Sequence, residues 1–294
     1  MALAGDEGRT LLAECPGALL QFFNTPGACV LRLVCREFRA EVAAYPWEDM
    51  KTVILGSIGA WRACLPRARR ANVRMDGPDN AVVRLTPVVD ADFVHFVGLW
   101  ELNMCGCRAV TDAAFVHLWG IHVLDMSNCS QLTITDAGLA HLVGIQKLSV
   151  YCCDQATLTD AAFAPLLGIR VLNMTHCSQL TDAAFAHFAG IHTLIMEGCD
   201  QPTITDAALA HLAGSIQCLV LYWSRIPFTV GGLTHLQGIT RLHMQGANAA
   251  SIAAAHSLGL PATTGARLWG ELEFSSFHFS DAESGPWPAG AAWV

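Results

Sequence analysis

The sequence predicts an α/β solenoid: short strand-plus-helix units stacked in a row, curved so that a parallel sheet lines the inner side. Two observations lead there. A glycine recurs at Gly98, Gly120, Gly144, Gly168, Gly190, Gly214 and Gly238, at spacings of 22, 24, 24, 22, 24 and 24 residues. The segments between are near copies: GIHVLDMSNCSQLTITDAGLAHLVG from Gly120 matches GIHTLIMEGCDQPTITDAALAHLAG from Gly190. Six clear units follow Gly98, and a degenerate one ending VDADFVHFVG precedes it. A single unit of this size cannot bury its own apolar face, whereas stacked copies can.

Each element of the unit has a physical reason. Ile-x-x-Leu-x-Met, as in Ile121, Leu124 and Met126, alternates like a strand with two side chains turned to a core. Three residues on stands a cysteine: Cys107, Cys129, Cys153, Cys177 and Cys199. Thr-Asp then opens a short helix at Thr111-Asp112, Thr135-Asp136, Thr159-Asp160, Thr181-Asp182 and Thr205-Asp206. Their oxygens accept the free N–H groups of a first turn, and the carboxylate complements the helix dipole. A helix of the type AAFAHL follows, with Phe and Leu three apart on the buried face, and the glycine ends it. The expectation is one continuous right-handed solenoid from about Val73 to Leu258. Leu102, Leu124, Leu148, Leu172, Leu194, Leu219 and Leu242 should form one buried stack.

The pattern LxxLxMxxC…TDAAF resembles the cysteine-containing leucine-rich repeats, over roughly residues 74–259. The resemblance implies a leucine-rich-repeat horseshoe. The units are slightly shorter than is usual for that class, and repeats six and seven place Ser224 and Ala247 where the cysteine stands.

Composition narrows the function. The chain of 294 residues is 53% hydrophobic and 14% charged, far from a disordered composition. It has no run of 18 apolar residues, so no membrane span is expected. The first residues carry Asp6, Glu7 and Glu14 and lack the basic then apolar plan of a signal peptide. The expected location is the cytosol, with the nucleus as the alternative. In such a compartment the 12 cysteines are read as free thiols. A net charge of −8 argues against a nucleic-acid partner. Ten of the 17 Lys and Arg fall in the first 74 residues, and Arg62, Arg67, Arg69, Arg70 and Arg74 read as a solvated cluster.

Catalytic, metal and cofactor sites are not expected. Cys105-Gly106-Cys107 and Cys152-Cys153 look like metal ligands, but the periodicity sets one thiol per layer, and structural zinc needs four converging ligands. A histidine row (His95, His117, His141, His187, His211 and His235, broken by Pro165) falls toward the outer face. Neighbouring helices stand too far apart for adjacent rings to share an ion easily. No nucleophile–base constellation or phosphate-binding glycine loop stands out of the repeats.

Residues 1–50 do not repeat. Apolar residues at Leu19, Leu20, Phe22 and Phe23, then Leu31, Val34, Cys35 and Phe38, follow helical spacing, and Pro26-Gly27 divides two helices. The segment resembles an F-box: Pro16, Leu19, Leu20, Leu31, Val34, Cys35, Phe38, Arg39 and Trp47 take that family's places. Cys15 stands where a leucine is usual, and NTPGAC replaces the usual acidic-Leu step. The resemblance implies that Pro16, Leu19, Leu20, Leu31, Val34, Cys35, Phe38 and Trp47 bind a Skp-type adaptor and, through it, a cullin. The chain would then recruit substrates to a cullin-RING ubiquitin ligase. The other reading makes this segment only a cap on a plain protein-binding solenoid. Residues 51–73 are expected to form a strand, a helix from about Ser57 to Leu65 and a second strand. In residues 260–294, LWGELEFSSFHF reads as a closing strand and the Pro- and Gly-rich end as a loose tail.

The target is placed on the concave face. Where Leu and Met point inward, the residues before, between and after them point outward. This gives Glu101, Asn103 and Cys105; Val123, Asp125 and Ser127; Lys147, Ser149 and Tyr151; Val171, Asn173 and Thr175; Thr193, Ile195 and Glu197; Cys218, Val220 and Tyr222; Arg241, His243 and Gln245. Aromatic residues and Arg dominate binding hot spots. The expected target contacts are Lys147, Tyr151, Asn173 and Glu197, centred on Tyr222, Trp223, Arg241 and His243.

Overall fold

In a computed structural model, described for residues 20, 25–33, 36–50, 52–75 and 86–264, nine three- or two-residue strands form one parallel sheet in chain order. They are β1 (Arg70–Asn72), β2 (Glu101–Asn103), β3 (Val123–Asp125), β4 (Lys147–Ser149), β5 (Val171–Asn173), β6 (Thr193–Ile195), β7 (Cys218–Val220), β8 (Arg241–His243) and β9 (Ala262–Thr263). The register runs through the leucines: Leu102, Leu124, Leu148, Leu172, Leu194, Leu219 and Leu242 each pair with the next. All seven are 0% exposed, as are Met104, Met126, Met174, Met196 and Met244. The repeat register expected from the sequence is the register of the sheet. The sheet also extends past the repeats at both ends, with Ala71 and Ala262 closing the leucine row.

The outer segments are shorter than the sequence suggests. Four helices in the body of the stack hold only four residues: α4 (Asp112–Phe115), α5 (Asp136–Leu139), α6 (Asp182–Phe185) and α8 (Val230–Leu233). α7 (Asp206–Ala210) has five, and α9 (Ala249–Ser257) nine. Beyond the first turn the bonds tighten to three-residue spacing, as in Leu118 N–H to Phe115 O. Residues Asp90–Phe96 and Asp160–Phe163 are 3₁₀ throughout. Just after the second of these, Pro165 lacks the N–H that His117, His141 and His187 donate at the same place.

Three columns of side chains bind each repeat to its predecessor. In the first, Asp112 accepts the Thr135 N–H and hydroxyl at 2.8 and 2.6 Å, and the Thr135 oxygen caps Ala137 N–H. The same bonds join Asp90 to Thr111, Asp136 to Thr159, Asp160 to Thr181, Asp182 to Thr205 and Asp206 to Thr229. The threonine is the cap, as its spacing implies. The aspartate does more than meet the dipole, since it grips the following unit.

In the second column each thiol donates to a carbonyl one layer back: Cys129 to Met104 at 3.4 Å, Cys153 to Met126 at 3.1 Å, Cys177 to Val150 at 3.1 Å and Cys199 to Met174 at 3.3 Å. Burial pushes the Cys153 and Cys199 thiols up to about 12, so they keep the proton they donate. The third column is made by Gln131, Gln155, Gln179 and Gln201, whose amides donate to the carbonyls of Cys107, Cys129, Cys153 and Cys177. Ser224 takes over for Cys199 at 2.8 Å.

The N-terminal side is closed by α1 (Thr25–Leu31), α2 (Arg36–Ala44) and α3 (Ile58–Cys64). Ser57 caps α3, as the junction reading expects. Residues 52–56 form no strand, and Ile54 N–H donates to Asn72 O there. Helix α3 lies over the first outer segment, where a Cβ on Gly59 would come within 2.9 Å of the His95 ring. The basic cluster is engaged rather than merely solvated. Arg62 donates to the carbonyls of Ala68 and Val97, Arg70 pairs with Glu101 at 3.2 Å, and Arg69 lies 5.6 Å from the Trp100 ring centroid. The expected closing strand and tail lie outside the described residues.

Candidate functional site: the concave face

The inner face changes character along the stack. Its N-terminal half is polar and self-satisfied. Asn103, Asp125 and Asn173 each accept, at 3.0 Å, the N–H two residues on, which ends the strand in an Asx turn. Ser127 donates to Asp125, and its hydroxyl meets that of Ser149 at 2.9 Å. Burial pushes the Asp125 carboxyl up, against the pull of the Ser127 bonds and Arg74. It pushes Glu101 up as well, against Arg70 and Lys147. The C-terminal half turns apolar, with Ile195, Cys218, Val220 and Tyr222 all buried.

Strand alternation therefore overstates what this face offers a partner. Asn173 is 4% exposed and its oxygen is occupied, so it shapes the strand end. Tyr222 is 5% exposed, with its ring edge-on to His243 at 5.8 Å. Lys147, Tyr151 and Glu197 are half-buried, and Arg241 is exposed. Tyr151 stands edge-on to His176 at 5.9 Å. His243 is half-buried, its Nδ1 2.9 Å from the Thr263 hydroxyl.

Trp223 stands apart. It occupies a position that is left-handed in every repeat: Gly106, Asn128, Cys152, His176, Gly198, Trp223 and Gly246, with φ of 56° at the tryptophan. Its ring lies across the next repeat's glycine, where a Cβ on Gly246 would run into it. His176 lies across Gly198 in the same way. The sequence reading missed His176, although a ring at a place held in four of the seven repeats by Gly or Asn was the available signal. A non-glycine residue pays roughly 1–2 kcal/mol for this conformation. Trp223 is nonetheless 57% exposed, so packing accounts for less than half of its surface.

Of the residues expected to face an adaptor, Pro16, Leu19, Val34 and Cys35 lie outside the described residues. Leu20 and Trp47 are each 2% exposed. The Trp47 indole donates to Val42 O at 2.8 Å, and its carbonyl accepts Arg69 N–H at 2.8 Å. Both residues are packed inward. Leu31 and Phe38 are half-buried, whereas Val30 and Leu33 are 64% and 77% exposed. Among the described residues no three His, Cys, Asp or Glu converge as metal ligands, and no helix is long and apolar enough to cross a membrane.

No protein-family model and no curated protein matches this sequence. Solved structures do. An internalin C2 from Listeria monocytogenes is 17% identical over 69% of this chain and 84% of its own, with a TM-score of 0.51. The fold is a leucine-rich-repeat solenoid. A chain of the Rad7–Elc1 complex of yeast is 20% identical over 47% of this chain, and one of the TLR13–ssRNA13 complex is 16% identical over 69%, with TM-scores of 0.38 and 0.49. This leucine-rich-repeat chain spans only 40% and 28% of the length of those two.

Proposed function

We propose that the protein is a non-enzymatic scaffold that holds a protein target on the C-terminal half of its concave face. The reading rests on one observation: a tryptophan is kept exposed at a left-handed position where glycine would cost least. Tyr222, the residue before it, stands edge-on to His243 of the neighbouring strand, and Arg241 is exposed on that strand. Alanine at Trp223 and Arg241, both exposed, should reduce target capture by proximity labelling in the native host to background. Capture at the parental level would move the site elsewhere.

The proposal extends to the N-terminal helices, which dock a Skp-type adaptor and, through it, a cullin, so that the captured protein is presented for ubiquitin transfer. Its support is the F-box-like pattern together with the exposure of Val30 and Leu33 beside it. Biolayer interferometry against purified Skp-type adaptor tests it. Binding by the parent, lost in Val30→Asp with Leu33→Asp, is the expected result; no binding by the parent removes the ubiquitin link. A second reading is favoured by a different observation. Leu20, Ala28, Val42 and Trp47 are buried in the core, which is what a plain cap on the solenoid requires.

A further inference from the structure

We propose that a second copy of this chain docks on the outer flank of the solenoid, along an apolar column formed by Val97, Trp119, Val143 and Leu167. All four hold one equivalent place, just before the left-handed glycine that turns each outer segment into the next strand. They are 38%, 66%, 66% and 70% exposed. In the following repeats that place is held by Ala189, Ala213 and Gln237, exposed in the same way. In these seven units the backbone presents the position to solvent, and only the first four put a large apolar side chain there; Leu258, before Gly259, is half-buried. Val94 and Val116, 52% and 44% exposed, widen the column at one end.

The occupant follows from size, pairing and charge. These six side chains expose roughly 600 Å² of apolar surface, the upper end of what a monomer tolerates. Face to face, two copies remove about 1,200 Å², the lower bound of a specific interface. A two-fold axis makes such an interface self-complementary. Set between the Trp119 and Val143 layers, it reverses the order of the partner, placing Val97 opposite the partner's Leu167 and Trp119 opposite the partner's Val143. Large then meets small at each step, and the two tryptophans do not collide. Between the Asp at the start of α4 or α5 and the closing glycine, the sequence has no carboxylate, Lys or Arg, so the two central layers bring no like charges together. The concave faces stay clear, because the column fades before the repeats that carry Trp223.

Sedimentation equilibrium of the full chain should give twice its 31.5 kDa, tightening with salt as the net charge of −8 is screened. Trp119→Glu with Leu167→Glu should weaken association by more than about thirtyfold, the scale of an aromatic hot spot, with unchanged circular dichroism. If the glutamates disturb folding, Trp119→Ser with Leu167→Ser replaces them. A photo-crosslinking residue at position 97 should label the partner's peptide around residue 167. A monomeric parent, a dimer that survives both double variants, or labelling of another peptide would each overturn the proposal.

Discussion

Cys153 and Cys199 illustrate how far a residue's role departs from its chemistry in water. Each thiol is a donor to a backbone carbonyl and is held protonated by burial. The folded state keeps this proton up to about pH 12, whereas the unfolded chain releases it near the ordinary value of 9.0. Since the native state binds the extra proton, stability is full below pH 9 and falls as pH rises toward 12. The slope is about 1.4 kcal/mol per pH unit for each such thiol. Urea unfolding at pH 8, 9 and 10 should show it, and Cys153→Ser, which keeps a donor that does not titrate, should flatten it by one thiol's share. An equal slope in the variant would mean that other groups carry the alkaline loss. At Trp223 the opposite trade holds. Trp223→Gly relieves the left-handed backbone but gives up the packing on Gly246, so thermal stability should stay within about 1 kcal/mol of the parent while target capture drops.

Among the elements, the aspartate column carries a testable share of the fold. Asp160→Ala strands the Thr181 N–H and hydroxyl and should cost about 1–3 kcal/mol in chemical denaturation. Asp160→Asn, which keeps one acceptor, should cost clearly less; equal costs would mean that the bonds add nothing beyond side-chain packing. Leu172→Ala opens a cavity in the middle of the leucine row and should cost about 2–5 kcal/mol. The strand register was legible because Leu recurs at one place in every unit, with Met, Val or Leu two residues on. The brevity of the outer helices was less so: an amphipathic pattern states which side is buried, but not where three-residue hydrogen bonds replace four-residue ones. Only Pro165 announced itself. The glutamine column was visible as Ser-Gln or Asp-Gln after Cys129, Cys153, Cys177 and Cys199, but a loop position carries no periodic hydrophobic signal to direct attention to it.

For the whole molecule, the solenoid was readable from recurrence alone, while the binding face was readable only in part. Alternation says which side of the strand a residue occupies. It does not say whether a neighbour two residues on or one layer away has claimed its polar atoms, as at Asn173, or whether its ring lies sunk among other side chains, as at Tyr222. Exposure across a curved sheet depends on three or four layers together. The N-terminal residues show the same limit: helical spacing covered Leu20 and the F-box resemblance covered Trp47, but neither says that both turn inward, as the long-range bond from Arg69 to Trp47 helps to fix.

The aspartate column also fixes how the protein yields to force. Every rung ties a repeat to its immediate predecessor and to nothing farther away, so a pull applied at the two ends loads the rungs in series. Held in an optical trap, the chain should lengthen in a staircase, each step releasing one repeat of 22 or 24 residues, or roughly 80 Å of contour. Asp160→Ala should lower the force of a single step and leave its length alone. The molecule would then behave as a graded extensible tether, giving length one unit at a time, in place of a domain that fails all at once.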